Sequence, residues 1–218
     1  MPAVTTDSLP AVQAAAPRVR ETMSWRRCRS LIASDLFRHA GAISARQFWR
    51  HFFFTPGFRY SVALRIARYS RLQRWARFGF RQFMSVMLYR YSVRYGISIR
   101  ADTRVGAGLY IGHFGGIHVN AGAVIGNNCN LQQDVTLGKA NRGARAGSPV
   151  IGNNVFIGAG AKIIGRIHVG DGAAIGANAV VTKDVPAGAA VAGVPARVVS
   201  DQGSAGYVNR TNYPPIRD

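Results

Sequence analysis

The sequence is short of cysteine, of acidic residues and of long apolar runs. Cys28 and Cys129 are its only cysteines, too few for a disulfide framework, so a reducing compartment is the expectation. Asp and Glu number 9 against 28 Lys and Arg, a formal net charge of +19, and no lysine precedes Lys139. No stretch approaches the roughly 18 consecutive apolar residues of a membrane span, because Arg interrupts every candidate. The longest, from Phe83 to Tyr89, is far too short. Met1–Ser24 lacks the continuous apolar segment of a secretory signal, which leaves a cytoplasmic protein as the reading. What is present is core material. Hydrophobic residues make up 48%, with 11 Phe, 8 Tyr and 3 Trp, so low-complexity disorder is excluded for most of the chain.

Charge and composition divide the chain near Gly96. Residues 1–96 hold 17 Arg against Asp7, Glu21 and Asp35, and most of the aromatics. Residues 97–218 hold 8 Arg and 3 Lys against 6 acids, and most of the glycines. Residues 1–23, with Pro2, Pro10 and Pro17 and no apolar periodicity, read as a disordered tail; Met1 and Met23 are both candidate starts. Residues 24–96 read as a basic, aromatic-rich helical domain. Ser24 is an N-cap, Leu31, Ile32 and Leu36 follow at helical spacing, and Gly41 is a stop. Ser44 caps a second helix through Phe54 that Pro56 ends. Phe58, Val62, Ile66 and Tyr69 mark a third, and a fourth is predicted from about Trp75 to Tyr95, closed by Gly96.

From Ile97 the period becomes six. Aliphatic residues fall at Val105, Ile111, Ile117, then Ile125, Leu131, Leu137, then Ile151, Ile157, Ile163, Val169, Ile175 and Val181. Neither a helix nor simple strand alternation has that period. A stacked solenoid does, with each hexapeptide a short strand plus a turn, the aliphatic inward and Gly or Asn at the corners. The register breaks twice. Ile117 to Ile125 implies a two-residue bulge just after His113–Gly116, and Leu137 to Ile151 reads as two hexapeptides plus two residues, with the polar segment Lys139–Ser148 leaving as a loop. Irregularities in a regular solenoid tend to be functional. Residues 97–199 are the solenoid, and 200–218 a polar C-terminal tail.

Within residues 97–199, YIGHFGGIHVN, GAGAKIIG, VVTKDVP and AGVPAR occur in order, and this region resembles the serine acetyltransferase branch of the hexapeptide-repeat acyltransferases. The upstream SDLFRH…TPGFRYSVALRIARY resembles the shortened helical domain of relatives associated with polysaccharide biosynthesis. The resemblance implies an α+β chain, an N-terminal α-helical region followed by a left-handed parallel β-helix. It also implies a homotrimer with acetyl-CoA as cosubstrate in the groove between subunits.

O-acetyl transfer from a thioester needs a base near the acceptor hydroxyl, and an imidazole suits that role. The residues alone leave His113 open between a base and an exposed turn histidine; the resemblance makes it the catalytic base. It also places the acetyl-CoA contacts on Ala159 and Ala177, and the phosphate end on Thr182, Lys183 and Arg197. Taken singly, Lys183 and Arg197 read equally as surface charges. Four positions that the family uses for serine depart from its pattern: Ser98, Gly112, Gly147 and Ser148. With the base and cofactor region kept, these departures point to a different acceptor, a sugar hydroxyl in polysaccharide biosynthesis, with serine O-acetylation as the alternative. What orients His113 stays open, Asp102 and Asp134 being candidates.

His113 and His118 form an H-x4-H pair, but no third histidine stands at a coil-related offset, so no metal is expected. Nor is nucleic acid an expected partner, since the basic residues fall in no recognised nucleic-acid module. Arg65, Arg68, Arg71, Arg74 and Arg77, with Phe, Trp and Tyr between them, form a basic collar that suits peripheral contact with the anionic inner face of a membrane.

Overall fold

A computed structural model of the chain describes residues 22–218. The tail expected over residues 1–23 therefore lies, except for its last two residues, outside the described part. Ser24 Oγ accepts the Arg27 N–H at 2.9 Å and opens α1 (Trp25–Ala40), which Gly41 closes at φ 74°. Ser44 opens α2 (Ala45–Phe54) in the same way. Pro56 does more than end α2: it stands at the start of α3 (Pro56–Leu72), where a missing N–H costs nothing. The fourth helix starts later than expected. A 3-10 turn over Trp75–Arg77 and then Gly79, at φ 88°, break the chain, so α4 spans only Phe80–Tyr95.

The remaining chain winds into a three-sided parallel β-helix. Its first sheet stacks β1 (Ile97–Ile99), β4 (Ile117–Val119), β7 (Thr136–Gly138), β10 (Lys162–Ile164) and β13 (Val180–Val181). The second stacks β2 (Arg104–Val105), β5 (Val124–Ile125), β8 (Val150–Ile151) and β11 (His168–Val169). The third stacks β3 (Tyr110–Ile111), β6 (Asn130–Leu131), β9 (Phe156–Ile157), β12 (Ala174–Ile175) and β14 (Ala190–Gly193), closed by the antiparallel β15 (Ala196–Ser200). The strands turn aliphatics inward, and Ile111, Leu131, Ile157 and Ile175 form one buried column. At one corner the amides of Ala107, Asn127 and Asn153 donate in turn to the side chains of Asn127, Asn153 and Asp171 at 2.7–2.9 Å, a polar ladder between coils.

The ladders relocate both irregularities. Ile111 pairs with Leu131, 20 residues on, whereas Val119 pairs with Leu137, 18 on. The two extra residues thus lie between Ile111 and Val119, inside the turn that carries His113 and not after it. Ile125 pairs with Ile151, 26 residues on, against 18 in a regular coil, so the second insertion is eight residues and not two. It forms a loop over residues 139–149, pinched by a two-way bridge between Ala140 and Gly147.

The helices cap the open upper rim of the first coil, which has no coil above it. Arg65 donates to Val105 O and Gly106 O, Arg68 to Thr103 O, and Arg38 to Gly108 O, at 2.6–3.4 Å. Tyr60 Oη accepts from Ile99 N–H and donates to Ile99 O, while Ser34 Oγ and Asp35 Oδ1 accept the Gly108 and Leu109 amides. An exposed strand rim invites unwanted pairing, and here side chains of α1 and α3 satisfy it. Residues 201–218 run back along the outer side of the third sheet. Tyr207 stacks on Phe156 at 4.6 Å, Tyr213 donates to Asn128, and Arg210 reaches His39 O. That sheet is covered by its own chain; among the described residues, none covers the outer sides of the other two in the same way.

Candidate active site

One corner of the β-helix collects most of the residues expected to act. The turn after each third-sheet strand leads to the first sheet, and these turns stack. Below the His113 turn, Gln133, Ala159 and Ala177 follow at one level per coil, with Gly115 set directly over Gln133 and His113 in the two-residue bulge just before it. Hydrogen bonds between coils tie the edge: Asp134 N–H to Gly115 O, Gly160 N–H to Gln133 O, and Asn178 N–H to Ala159 O, all at 2.8–2.9 Å. At the usual strand spacing, about 5 Å separates each level from the next. Ala159 and Ala177 leave a flat wall of backbone below His113.

The His113 turn is held from behind and left free in front. Gly112 sits against the Tyr110 ring and Gln132, with no room to spare, and Gly115 and Gly116 take φ of 106° and 67°. A Cβ on Gly116 would collide with the Asp134 carboxylate, so glycine is required there for space as well as conformation. The strand leading into the turn is gripped by the helices. His39 lies between Asp35 O and Ile111 O, at 2.8 and 3.4 Å, and its ring packs on Tyr110 at 4.6 Å. Burial pushes the His39 pKa down, which keeps the ring neutral. Phe114 packs edge-on to Tyr95 at the end of α4. The His113 ring itself is exposed and has no hydrogen-bond partner among the described residues.

Of the two acids considered as its orienting group, Asp134 lies on the same edge one coil down, with its amide on Gly115 O and its own carbonyl accepting from Lys162. Asp102 is at a different corner, bound to Arg100 at 3.0 Å, and that hydrogen bond holds its carboxyl below the usual range. Ser98 stands in the first sheet directly above His118, and Thr136 lies below it. His118 points out of the strand while His113 belongs to the turn, so the H-x4-H pair is split between two environments.

At the lower end of the solenoid, Thr182, Lys183 and Arg197 line one cleft of about 300 Å³, together with Asp184 and Pro195. Residues 15 apart in sequence meet because β15 folds back beside β14. The structure thus brings Ala159 and Ala177 onto the same corner as the His113 turn, and the three phosphate-end candidates together at the lower end. Sequence reasoning missed Gln132 and Gln133, which the second coil sets against Gly112 and Gly115. Only the 20-residue first coil brings them there, and a six-residue period does not reveal it. It missed His39 for the same reason, 72 residues from Ile111.

Comparison with known proteins sharpens this picture. Residues 148–183 match the family model described as bacterial transferase hexapeptide (six repeats). A serine acetyltransferase of Synechococcus elongatus is 34% identical over 108 residues, 50% of this chain and 44% of the relative. The serine acetyltransferase of Escherichia coli K12 is 39% identical over 113 residues, 52% of this chain and 41% of the relative. The chain spans less than half the length of these curated relatives. Among solved structures, a serine acetyltransferase in complex with cysteine is 32% identical with a TM-score of 0.64, covering 80% of this chain and 69% of that one. One from Brucella abortus in complex with coenzyme A is also 32% identical, with a TM-score of 0.65 and coverage of 81% and 67%. These likenesses overturn the sugar hydroxyl expected as acceptor, since the relatives and solved structures are serine acetyltransferases. The four departures do not gather into a sugar site: Ser148 Oγ is taken up by Asn120 Oδ1 at 2.9 Å, and Ser98 stands in the first sheet above His118.

Proposed function

The chain belongs to the serine acetyltransferase-like, hexapeptide-repeat acyltransferases of the left-handed β-helix fold, and from that premise we propose that it transfers acetyl from acetyl-CoA to the hydroxyl of serine. The observation that carries this reading is the corner on which the His113 turn stacks above the turns of Ala159 and Ala177, in a chain alike to a serine acetyltransferase solved with coenzyme A. His113 takes the proton of the acceptor hydroxyl while its oxygen attacks the thioester carbonyl. Backbone N–H groups stabilise the tetrahedral oxyanion, which collapses to the ester and expels the CoA thiolate, and His113 returns the proton to sulfur. Ala159 and Ala177 let the pantetheine arm lie against backbone, and Thr182, Lys183 and Arg197 receive the phosphates.

The proposal includes a homotrimer. Within one chain, the loop over residues 139–149 and the His113 turn sit on opposite edges of the first sheet, whose outer side is uncovered. A neighbouring copy set against that sheet supplies the second wall of the acetyl-CoA groove. We place the protein in the cytoplasm, peripheral to the inner face of the membrane. The test is an acceptor assay with the purified full chain and acetyl-CoA. Release of free CoA dependent on L-serine, with O-acetylserine identified by mass spectrometry, is the expected result. CoA release that ignores serine would refute the acceptor.

A further inference from the structure

The helical region leaves an apolar surface uncovered. α4 is apolar on two opposite sides. Met84, Leu88 and Tyr95 are buried, while Phe83, Val86, Tyr89 and Val93, at three- and four-residue steps, form an outer stripe with every member more than half exposed. The 3-10 turn and the residue after it add Trp75 and Phe78, the latter 91% exposed. A contiguous patch of this kind marks a contact site.

Charge identifies the occupant. Arg90 and Arg94 rise from the same helix, exposed, and Arg71 lines a groove together with Tyr89 and Val93. From residue 22 to 96 the one acid is Asp35, buried against Arg65. Every Asp, Glu, Lys or Arg charge that this region shows to solvent is therefore positive. A second copy docked through the same stripe would set arginine against arginine, since the one carboxylate of that groove, Asp102, is already paired with Arg100. Its solenoid is no better a partner, with 11 Lys and Arg against 6 acids. An anionic lipid surface meets both demands, because its headgroups match the guanidinium groups and its interfacial zone accepts aromatic rings.

We propose that the outer stripe of α4, with Trp75 and Phe78, docks the protein on an anionic bilayer, the helix lying in the plane of the interface. No described helix is long and apolar enough to cross a membrane, so this contact is peripheral. It deepens the peripheral placement proposed above but does not depend on which hydroxyl is acetylated, and failure of one leaves the other standing.

The experiment is flotation of the full chain with phosphatidylcholine vesicles, with and without phosphatidylglycerol. The protein should float with the anionic vesicles at low salt, be released by high salt, and stay behind with pure phosphatidylcholine. Arg90→Glu with Arg94→Glu, and separately Phe83→Ser with Val86→Ser, should each lower the bound fraction about tenfold or more. Thermal midpoint and oligomer size should stay at wild type, since these side chains are on the surface. A protein that stays soluble at low salt overturns the proposal, as does equal binding to neutral vesicles. Variants that float like wild type would do the same. A change of oligomer size in either variant would make the stripe a contact between copies, and that too overturns it.

Discussion

Arg65 of α3 and Asp35 of α1 form a buried two-pronged pair, Nε to Oδ2 and Nη2 to Oδ1, both at 3.0 Å. Neither partner stops there. Arg65 continues to Val105 O at 2.8 Å, and Asp35 Oδ1 accepts the Leu109 amide at 2.8 Å. The pair is thus a rivet through two helices into the first coil of the solenoid.

This geometry separates it from an isolated buried ion pair. Removing one partner, as in Arg65→Ala or Asp35→Ala, should cost about 3–5 kcal/mol, because a desolvated charge is left alone. Replacing both with apolar residues often restores stability elsewhere. Here Arg65→Met with Asp35→Leu should remain destabilised, since Val105 O, Gly106 O and Leu109 N–H lose their partners too. Urea denaturation measures it, and a double variant as stable as wild type would show that the rim bonds contribute nothing.

His113→Ala should lower kcat by about a hundredfold or more, the usual share of a general base. Coenzyme A binding, followed by calorimetry, should be unchanged, because the exposed imidazole buttresses no other described residue. An active His113→Ala enzyme would remove the assigned base.

Stability should fall on mild acidification. Burial lowers the His39 pKa in the folded protein, and burial with nearby Arg50 and Arg210 lowers that of His51. The unfolded chain then binds more protons, so this stability is complete above the unfolded histidine value of about 6.5 and is lost as pH drops below it. His39→Gln should flatten part of the slope. Identical pH profiles for both proteins would mean that His39 is not the group responsible.

Both cysteines should resist alkylation in the native protein. Burial raises the Cys28 thiol to about 11 and Cys129 to about 12, so neither offers thiolate near neutral pH. Thiol titration should read none before denaturation and two after. Rapid labelling of either in the folded state would contradict the burial.

Gly57→Ala probes the contact between α3 and the strand that carries the His113 turn. A Cβ at Gly57 would run into Ile111 O and the Ile111 side chain. Relief requires α3 or β3 to shift, at a cost of about 1–3 kcal/mol. The expected signature is a lowered thermal midpoint together with a fall in kcat. Full activity at reduced stability would show that the turn is insulated from α3.

Local signals carried far in this chain. Ser24, Gly41 and Ser44 act within one helical turn, so α1 and the start of α2 were readable to the residue. The six-residue period is equally local, because inward aliphatics recur at fixed places in successive short strands. Two features escaped for a stated reason. The break at Gly79 depends on a backbone angle that no apolar periodicity reports. The size of the loop after β7 depends on which coil Ile151 pairs with, and a count modulo six cannot separate two extra residues from eight. The motif and a nearby register break single out His113 as a candidate, and the ladder puts that break in its own turn.

The sequence by itself determined a helical half and a β-solenoid half, since periodicity and corner residues are encoded within a few positions. Only the tertiary structure decided how the halves join and what the buried arginines do. Arg38, Arg65 and Arg68 read in sequence as more of the same basic surface, yet they are buried and bound to first-coil carbonyls 33 to 70 residues away. An uncapped solenoid rim has unpaired backbone groups along its length, and guanidinium groups from two helices satisfy it once the chain has folded back. The same folding separates the arginines that cap the rim from those that stay exposed beside α4, a division that charge counting along the chain does not contain.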